Sequence, residues 1–185
     1  EYSSYMMNLG FQVRICDSPK HVTDTCNLII TTTAATEPIL FADDIQPGTH
    51  ITAMGSDTPA KQELDPNIME KADCVVADSI SQCIERGEIS HAIKDGKLTK
   101  NNLVELGHVL NGQHPGRTSQ DQITVADLTG VAVQDIQIAT AVYESFMENE
   151  AGLRSLMLKA YKSNQPTLKE YNRLAQPFLE KYIKT

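Results

Sequence analysis

Asp57 and Lys61, four residues apart, stand just past a short apolar run, His50-Ile51-Thr52-Ala53-Met54, that is broken by Gly55. A carboxylate with a lysine at that spacing is a candidate acid–base site. Gly55 gives the backbone freedom to bend there, or to let a ligand approach closely. A second candidate is Thr33-Ala34-Ala35-Thr36, small residues that close another apolar run and leave room for a ligand. Each has a plainer alternative. The small residues can be an ordinary loop, and Asp57 or Thr58 can simply cap a helix that begins near Pro59. The two readings of Asp57 conflict chemically, because a capping carboxylate has a lowered pKa and is a weak base, whereas a dry pocket raises it. His91 reads as a packing or surface histidine, and His114 and Arg117 as solvated loop residues.

The apolar runs that carry these residues read as strands. Asn27 to Thr33 is β-branched throughout, as a strand covered on both faces of a parallel sheet should be. His50 to Met54, Cys74 to Ala77 and Ile123 to Leu128 repeat that character, and Phe11 to Cys16 alternates well enough for one strand more. Helices are expected between them. Ser18-Pro19 opens one, Asp65-Pro66 opens another that runs to about Lys71, and Ser79-Ile80-Ser81-Gln82 has the form of a capping box. Glu88 to Lys94 is helical in pattern and stops at Gly96. Asn102 to Leu110 is expected to be a helix with Leu103, Leu106 and Leu110 on one face, and a long helix runs from about Val131 to Met147. In that last helix Ile136, Ala139, Tyr143 and Phe146 recur at core spacing. Tyr2 to Leu9 with Gly10 reads as the tail of a helix and its cap, so a segment upstream of Glu1 is expected.

Strands alternating with helices define an α/β fold with a mostly parallel sheet and right-handed crossovers. In such sheets ligands bind at the carboxyl ends of the strands, which is where Asp57 and Thr33 fall.

The 185 residues suffice for one domain, or one with an appendage, and 41% hydrophobic residues are ample for a core. A net charge of −8 with no basic run argues against a nucleic-acid surface. No apolar run approaches the ~18 residues of a membrane span, and no signal peptide is visible. Cys16, Cys26, Cys74 and Cys83 form no C-x-x-C pair and have no histidine at ligand spacing. They read as buried free thiols in a reducing compartment rather than as a zinc site, and no metal is expected. The glycines make no G-x-G-x-x-G turn, Walker loop or G-x-S-x-G elbow.

As an ordered set, several stretches resemble the ornithine cyclodeaminase and mu-crystallin family, which includes alanine dehydrogenases. They are Thr32-Thr33-Ala34 with Glu37-Pro38-Ile39-Leu40, Pro47-Gly48-Thr49-His50, and Gly55-Ser56-Asp57-Thr58-Pro59-Ala60-Lys61-Gln62-Glu63-Leu64. Farther on are Asp78-Ser79 with Gln82, Gly87-Glu88-Ile89, Glu105-Leu106-Gly107, Pro115-Gly116-Arg117-Thr118, and Asp127-Leu128-Thr129-Gly130 with Gln134-Asp135. The resemblance covers residues 1 to 150. It implies a Rossmann-like sheet with flanking helices, incomplete at its amino end. Residues 151–185, rich in Lys, Tyr and Leu and broken by Pro166 and Pro177, read from composition as a helical tail that docks on the sheet domain, on another subunit or on a missing segment; the family's chain returns there to its dimerisation region, on which the tail is expected to pack. It also implies NAD as cofactor, an amino acid as substrate, and a homodimer; with the charge, the cysteines and the lack of a long apolar run, a cytoplasmic protein without nucleic-acid or membrane partners is expected.

By the same resemblance Asp57 is the catalytic carboxylate, Thr33, Ala34, Met54, Gly55, Ser56 and Lys61 line the dinucleotide, and Thr129 and Gly130 meet the substrate. The implied reaction is conversion of L-ornithine to L-proline and ammonia by internal hydride transfer, with alanine dehydrogenase, cyclic-ketimine reductase or small-molecule binding without catalysis as alternatives. Asp57 would shuttle protons there, which asks for a pKa nearer neutrality and a side chain facing a bay rather than bulk water. The family's glycine-rich turn, its ribose-binding acid and its substrate-carboxylate clamp find no counterpart in these residues. The chain alone is therefore expected to be inactive. Ala60 stands where the motif commonly has glycine.

Overall fold

The structure, a computed structural model, describes residues 2–145 and 147. Residues 1–131 and 132–185 form two compact units. In the second unit the described residues 132–145 are helical, and Ile136 and Tyr143 are exposed on that helix rather than placed in a core. Phe146 and the expected tail over 151–185 lie outside the described residues.

The first unit is built on five strands: β1 (Leu28–Thr31), β2 (His50–Ala53), β3 (Cys74–Ala77), β4 (Leu103–Glu105) and β5 (Thr124–Asp127). Their order in the sheet is β1-β2-β5-β3-β4, and every pairing is parallel. The helices are α1 (Tyr2–Asn8), α2 (Pro19–Thr23), α3 (Pro66–Lys71), α4 (Ile80–Cys83), α5 (Glu88–Lys94) and α6 (Leu106–Leu110). Two caps follow the sequence closely. Ser18 Oγ accepts the His21 amide ahead of Pro19, and the Asp65 carboxylate accepts the Asn67 amide ahead of Pro66. Gly10 closes α1 with φ +89, a backbone state that a side chain would strain.

Register explains where the core sits. Ile29, Ile51, Val125 and Val75 are Cα partners across four strands, and so are Thr31, Ala53, Asp127 and Ala77. With a side-chain period of two, both rows face the same side, and all eight residues are buried there. Leu40, Ile45, Leu64, Ile68, Met69, Ile89 and Ala92 complete that core. The opposite face carries a smaller cluster of Cys74, Val76 and Ala126 under Leu106, Val109 and Leu128. Toward β1 that face thins out, with Leu28 61% and Ile30 59% exposed. Composition suggested a strand covered on both faces; β1 is buried on one.

Four local expectations are corrected. Residues 11–16 form no strand, because nothing pairs with them, and Phe11 and Ile15 are exposed. Leu103–Glu105 is a strand, since parallel pairing of Leu103, Val104 and Glu105 with Val75, Val76 and Ala77 outweighs its helical spacing; helix begins only at Leu106. No helix starts at Pro59. Residues 58–61 make one turn, closed by the Lys61 amide on Thr58 O, and the chain then runs extended so that Gln62 N bonds Ala35 O. Ser79 heads α4 without a side-chain cap: its hydroxyl lies 3.0 Å from that of Ser81, and the Gln82 side chain, which would complete a capping box, bonds Thr129 and Gly130 instead. Among the four cysteines, all free, Cys74 and Cys83 are buried while Cys26 is exposed.

Candidate functional site

Because Thr31, Ala53 and Asp127 stand side by side at the ends of adjacent parallel strands, the loops that follow them emerge together. Those loops carry Thr33 and Ala34, then Met54, Gly55, Ser56 and Asp57, then Thr129 and Gly130. The candidate residues, scattered over almost a hundred positions of sequence, are thus gathered on one rim of the sheet, at the carboxyl ends where an open α/β sheet binds ligands.

Their individual settings differ. Thr33, Ala34 and Met54 are exposed. Ser56 is buried and its hydroxyl donates to Lys61 O at 2.6 Å, so its side chain faces inward. Gly55 is required by its own surroundings, since a Cβ there would collide with Thr33 O and the Glu63 carboxylate. The glycine allows a close approach, but of the protein's own backbone and carboxylate. Thr129 is buried; its hydroxyl donates to Asp78 Oδ1 at 3.2 Å and accepts from Gln82 Nε2 at 3.2 Å. Gly130 donates its amide to Asp78 Oδ2 and accepts from Gln82 through its carbonyl, both at 2.8 Å. Asp78 and Gln82 therefore pin the end of β5 to the start of α4.

Asp57 corrects the expectation of a dry bay. Its side chain is 53% exposed and paired with Lys61 Nζ at 2.8 Å. The Lys61 hydrogen bond above all holds the carboxyl below its ordinary value, against the opposing effect of burial and with help from the Lys61 charge. It caps no helix either. In this arrangement Asp57 is an ionised, solvent-facing half of an ion pair, and taking up a proton requires Lys61 to let go.

The ionisable acids buried at this rim are others, to which the sequence assigns no role. Glu63, Glu88 and Asp127 are at most 2% exposed. Glu63 accepts the Thr33 amide at 2.5 Å and the Gly55 amide at 2.9 Å. Glu88 accepts the Glu63 amide at 2.7 Å and the Leu64 amide at 3.0 Å. Asp127 accepts the Ile89 amide at 2.8 Å, while its Oδ1 is buried without a partner. Burial pushes Glu88 up to about 7 against those two hydrogen bonds, and pushes Asp127 up to about 8 with help from the charges of Glu88 and Asp78. A signal for one of them was present, since Asp127 interrupts the otherwise apolar Ile123–Leu128 run. His91 packs as expected, Nε2 lying 2.9 Å from Lys61 O, and Arg117 is spent on the carbonyls of Gly48, Ser119 and Gln120. A cleft of about 560 Å³ lined by Asn27, Gly48, His50 and Arg117 lies at the amino ends of the strands, away from this rim.

A parallel sheet with its candidate loops collected at the carboxyl ends of adjacent strands places the chain in the class of doubly wound, nucleotide-binding-type α/β proteins. Comparison with known proteins narrows the class. Residues 1–150 match the ornithine cyclodeaminase/mu-crystallin family profile. An uncharacterised cyclodeaminase, y4tK, of Sinorhizobium fredii is 43% identical over 144 residues, 77% of this chain and 44% of that protein. Among solved structures, an archaeal alanine dehydrogenase dimer with bound NAD superposes with a TM-score of 0.74 at 34% identity, covering 80% of this chain and 46% of the other. The Thermococcus litoralis Δ1-pyrroline-2-carboxylate reductase in complex with NADH and L-proline gives 0.72 at 26% identity, covering 78% and 45%. The chain belongs to the ornithine cyclodeaminase/mu-crystallin family. It spans about half the length of the relatives it matches.

Proposed function

We propose that this chain supplies the carboxyl-end rim of a nicotinamide-dinucleotide site to an enzyme acting at the Cα–nitrogen bond of an amino acid. The observation that carries the reading is the gathering of the Thr33, Gly55 and Thr129 loops on one edge of a parallel sheet. Thr33, Ala34 and Met54 present exposed surface there and are suited to lie against the dinucleotide. Gly55 and Ser56 shape the turn from behind. The dinucleotide, when bound, supplies the hydride acceptor and donor. The Thr33 and Gly55 amides are already spent on Glu63 and the sequence has no glycine-rich turn, so the pyrophosphate needs a cradle from elsewhere. For the 185-residue chain alone we therefore expect weak or no NADH binding and no turnover. A nicotinamide-fluorescence titration showing tight binding would refute this.

The particular reaction we propose is ornithine cyclodeamination. Oxidation at Cα gives an imine, the side-chain amine attacks it, ammonia leaves, and return of the hydride yields proline, so the sum is redox-neutral. Asp57 takes and returns the protons, parted from Lys61 once substrate and cofactor displace water from the rim. Thr129 and Gly130 wall the substrate side. The second reading is a dehydrogenase or imine reductase, favoured by the likeness to an alanine dehydrogenase and to a reductase holding L-proline. Intact protein bearing these residues should form proline and ammonia from ornithine. Pyruvate from alanine, or NADH consumption with a cyclic imine and none with ornithine, would move the assignment to the second reading. Asp57→Asn should retain cofactor binding and lose turnover in either case; unchanged turnover removes Asp57 from the mechanism. A homodimer of the intact protein, as in the alanine dehydrogenase, is part of the same proposal.

A further inference from the structure

We infer that Glu63 and Glu88 are positioning residues: a bridge of buried carboxylates sets where the Thr33 and Gly55 loops stand on the rim. The inference rests on the dinucleotide reading above and deepens it. Among the described residues, Glu63, Glu88 and Asp127 are the fully buried side chains that bear a carboxyl group, and none has a lysine or arginine as an ion-pair partner. Each accepts from backbone amides, Glu63 and Glu88 on both oxygens and Asp127 on one, and the amides follow an order. Asp127, at the end of β5, holds Ile89 in the first turn of α5; Glu88, the preceding residue of that turn, holds Glu63 and Leu64; Glu63 holds Thr33 after β1 and Gly55 after β2. A rigid path thus runs from the middle of the sheet, through α5, to the two loops proposed to face the dinucleotide.

Two features make a carboxylate necessary at position 63. Its two oxygens meet two N–H donors, Thr33 on Oε1 and Gly55 on Oε2, and only an acceptor at both atoms satisfies both. The glycine at 55 lets the carboxylate come that close, since any Cβ would occupy its place. Glutamine keeps the shape and presents an NH2 to one of the two amides, donor against donor. Glu88 repeats the arrangement with the Glu63 and Leu64 amides. A carboxylate retained without a cation, in a place where burial opposes its charge, is explained by the two-donor geometry that it alone bridges.

The test has two arms. In the 185-residue chain, amide exchange followed by NMR should show Glu63→Gln speeding exchange at Thr33 or Gly55 by about tenfold or more, the cost of one lost hydrogen bond to a charged group. The β3 amides, which Glu63 does not touch, should exchange as before. Glu88→Gln should do the same at Glu63 or Leu64, and serves if Glu63→Gln fails to fold. Unchanged exchange at these amides overturns the bridge. In the intact protein, Glu63→Gln should weaken NADH binding about tenfold with a smaller change in kcat at saturating cofactor; Asp57→Asn should show the opposite split. NADH binding that is normal in Glu63→Gln overturns the positioning role. Wild-type intact protein that binds no NADH instead overturns the functional reading and leaves the exchange result to decide the bridge.

Discussion

Asp127→Asn isolates the proton that the buried carboxylate bridge retains. Asp127 is 1% exposed at the end of β5, with Oδ2 on the Ile89 amide and Oδ1 unpartnered. Burial above all pushes its carboxyl from 3.8 up to about 8. Between those values the folded protein holds a proton that the unfolded chain has released, so rising pH favours unfolding. The contribution is fully present below about pH 4 and is lost as pH climbs through 8. At about 1.4 kcal/mol per pH unit, the interval amounts to a loss on the order of 5 kcal/mol, set against a total stability of roughly 5–15 kcal/mol for a domain. Glu88, raised from 4.5 to about 7, acts with the same sign over a shorter range. His50 opposes both below its ordinary value, because burial lowers its pKa and favours the neutral ring. Comparing variant with wild type removes those shared contributions. Urea unfolding at pH 5, 6, 7 and 8 is the assay. Asn cannot release a proton, so the stability of Asp127→Asn should fall less steeply than that of wild type, by up to about 1.4 kcal/mol per pH unit. At pH 5 both side chains are neutral and both leave a polar group unpartnered, so the two proteins should be close in stability there, and the variant should be the more stable by pH 8. Parallel pH profiles for the two proteins would refute the claim that Asp127 is held protonated.

Lys61→Met should return the Asp57 carboxyl toward its ordinary value, read as its side-chain carboxyl titration by NMR; an unmoved titration would mean that the ion pair does not govern Asp57. Gly87→Ala should destabilise by about 2–4 kcal/mol, combining a backbone at φ +85 with a Cβ 2.6 Å from Thr129 Cγ2 and 2.7 Å from Asp127 Oδ2. Gly96→Ala, at φ +71 in open space, should cost only about 1–2 kcal/mol, and equal losses in thermal unfolding would count against the packing argument. With Ellman's reagent, exposed Cys26 should react in the folded protein, whereas Cys83, buried and pushed up to about 12, should react only on unfolding; early modification of Cys83 would contradict its burial.

Period and capping made most of the sheet legible. Four strands fall inside the apolar runs named from sequence, and Ser18-Pro19 and Asp65-Pro66 start helices as their chemistry requires. What was illegible has a common cause in long-range pairing. Leu103–Glu105 reads as helix until β3 claims it, and the β-branched residues of β1 do not reveal that Leu28 and Ile30 lack cover on one face. The rim itself was legible as a set of loops and illegible as a set of contacts. Asp57 attracts notice because it follows a strand, yet its partner is the neighbouring Lys61. Glu63, whose partners lie 30 residues back at Thr33 and 8 back at Gly55, has nothing local to mark it as buried.

Gly55 shows how the two levels connect. Read alone, a glycine after a strand invites a ligand to approach the backbone. In the fold the approach is made by Glu63, and the absent side chain leaves room for a carboxylate that ties two loops together. On the proposed function the glycine would serve the dinucleotide indirectly, by letting Glu63 hold the two loops together, which would lower the ordering cost of binding. Gly55→Ala should therefore disturb the Thr33 loop, which is remote in sequence, as strongly as its own. Chemical-shift changes confined to residues 54–58 would show that the glycine acts only locally and that the bridge does not couple the two turns.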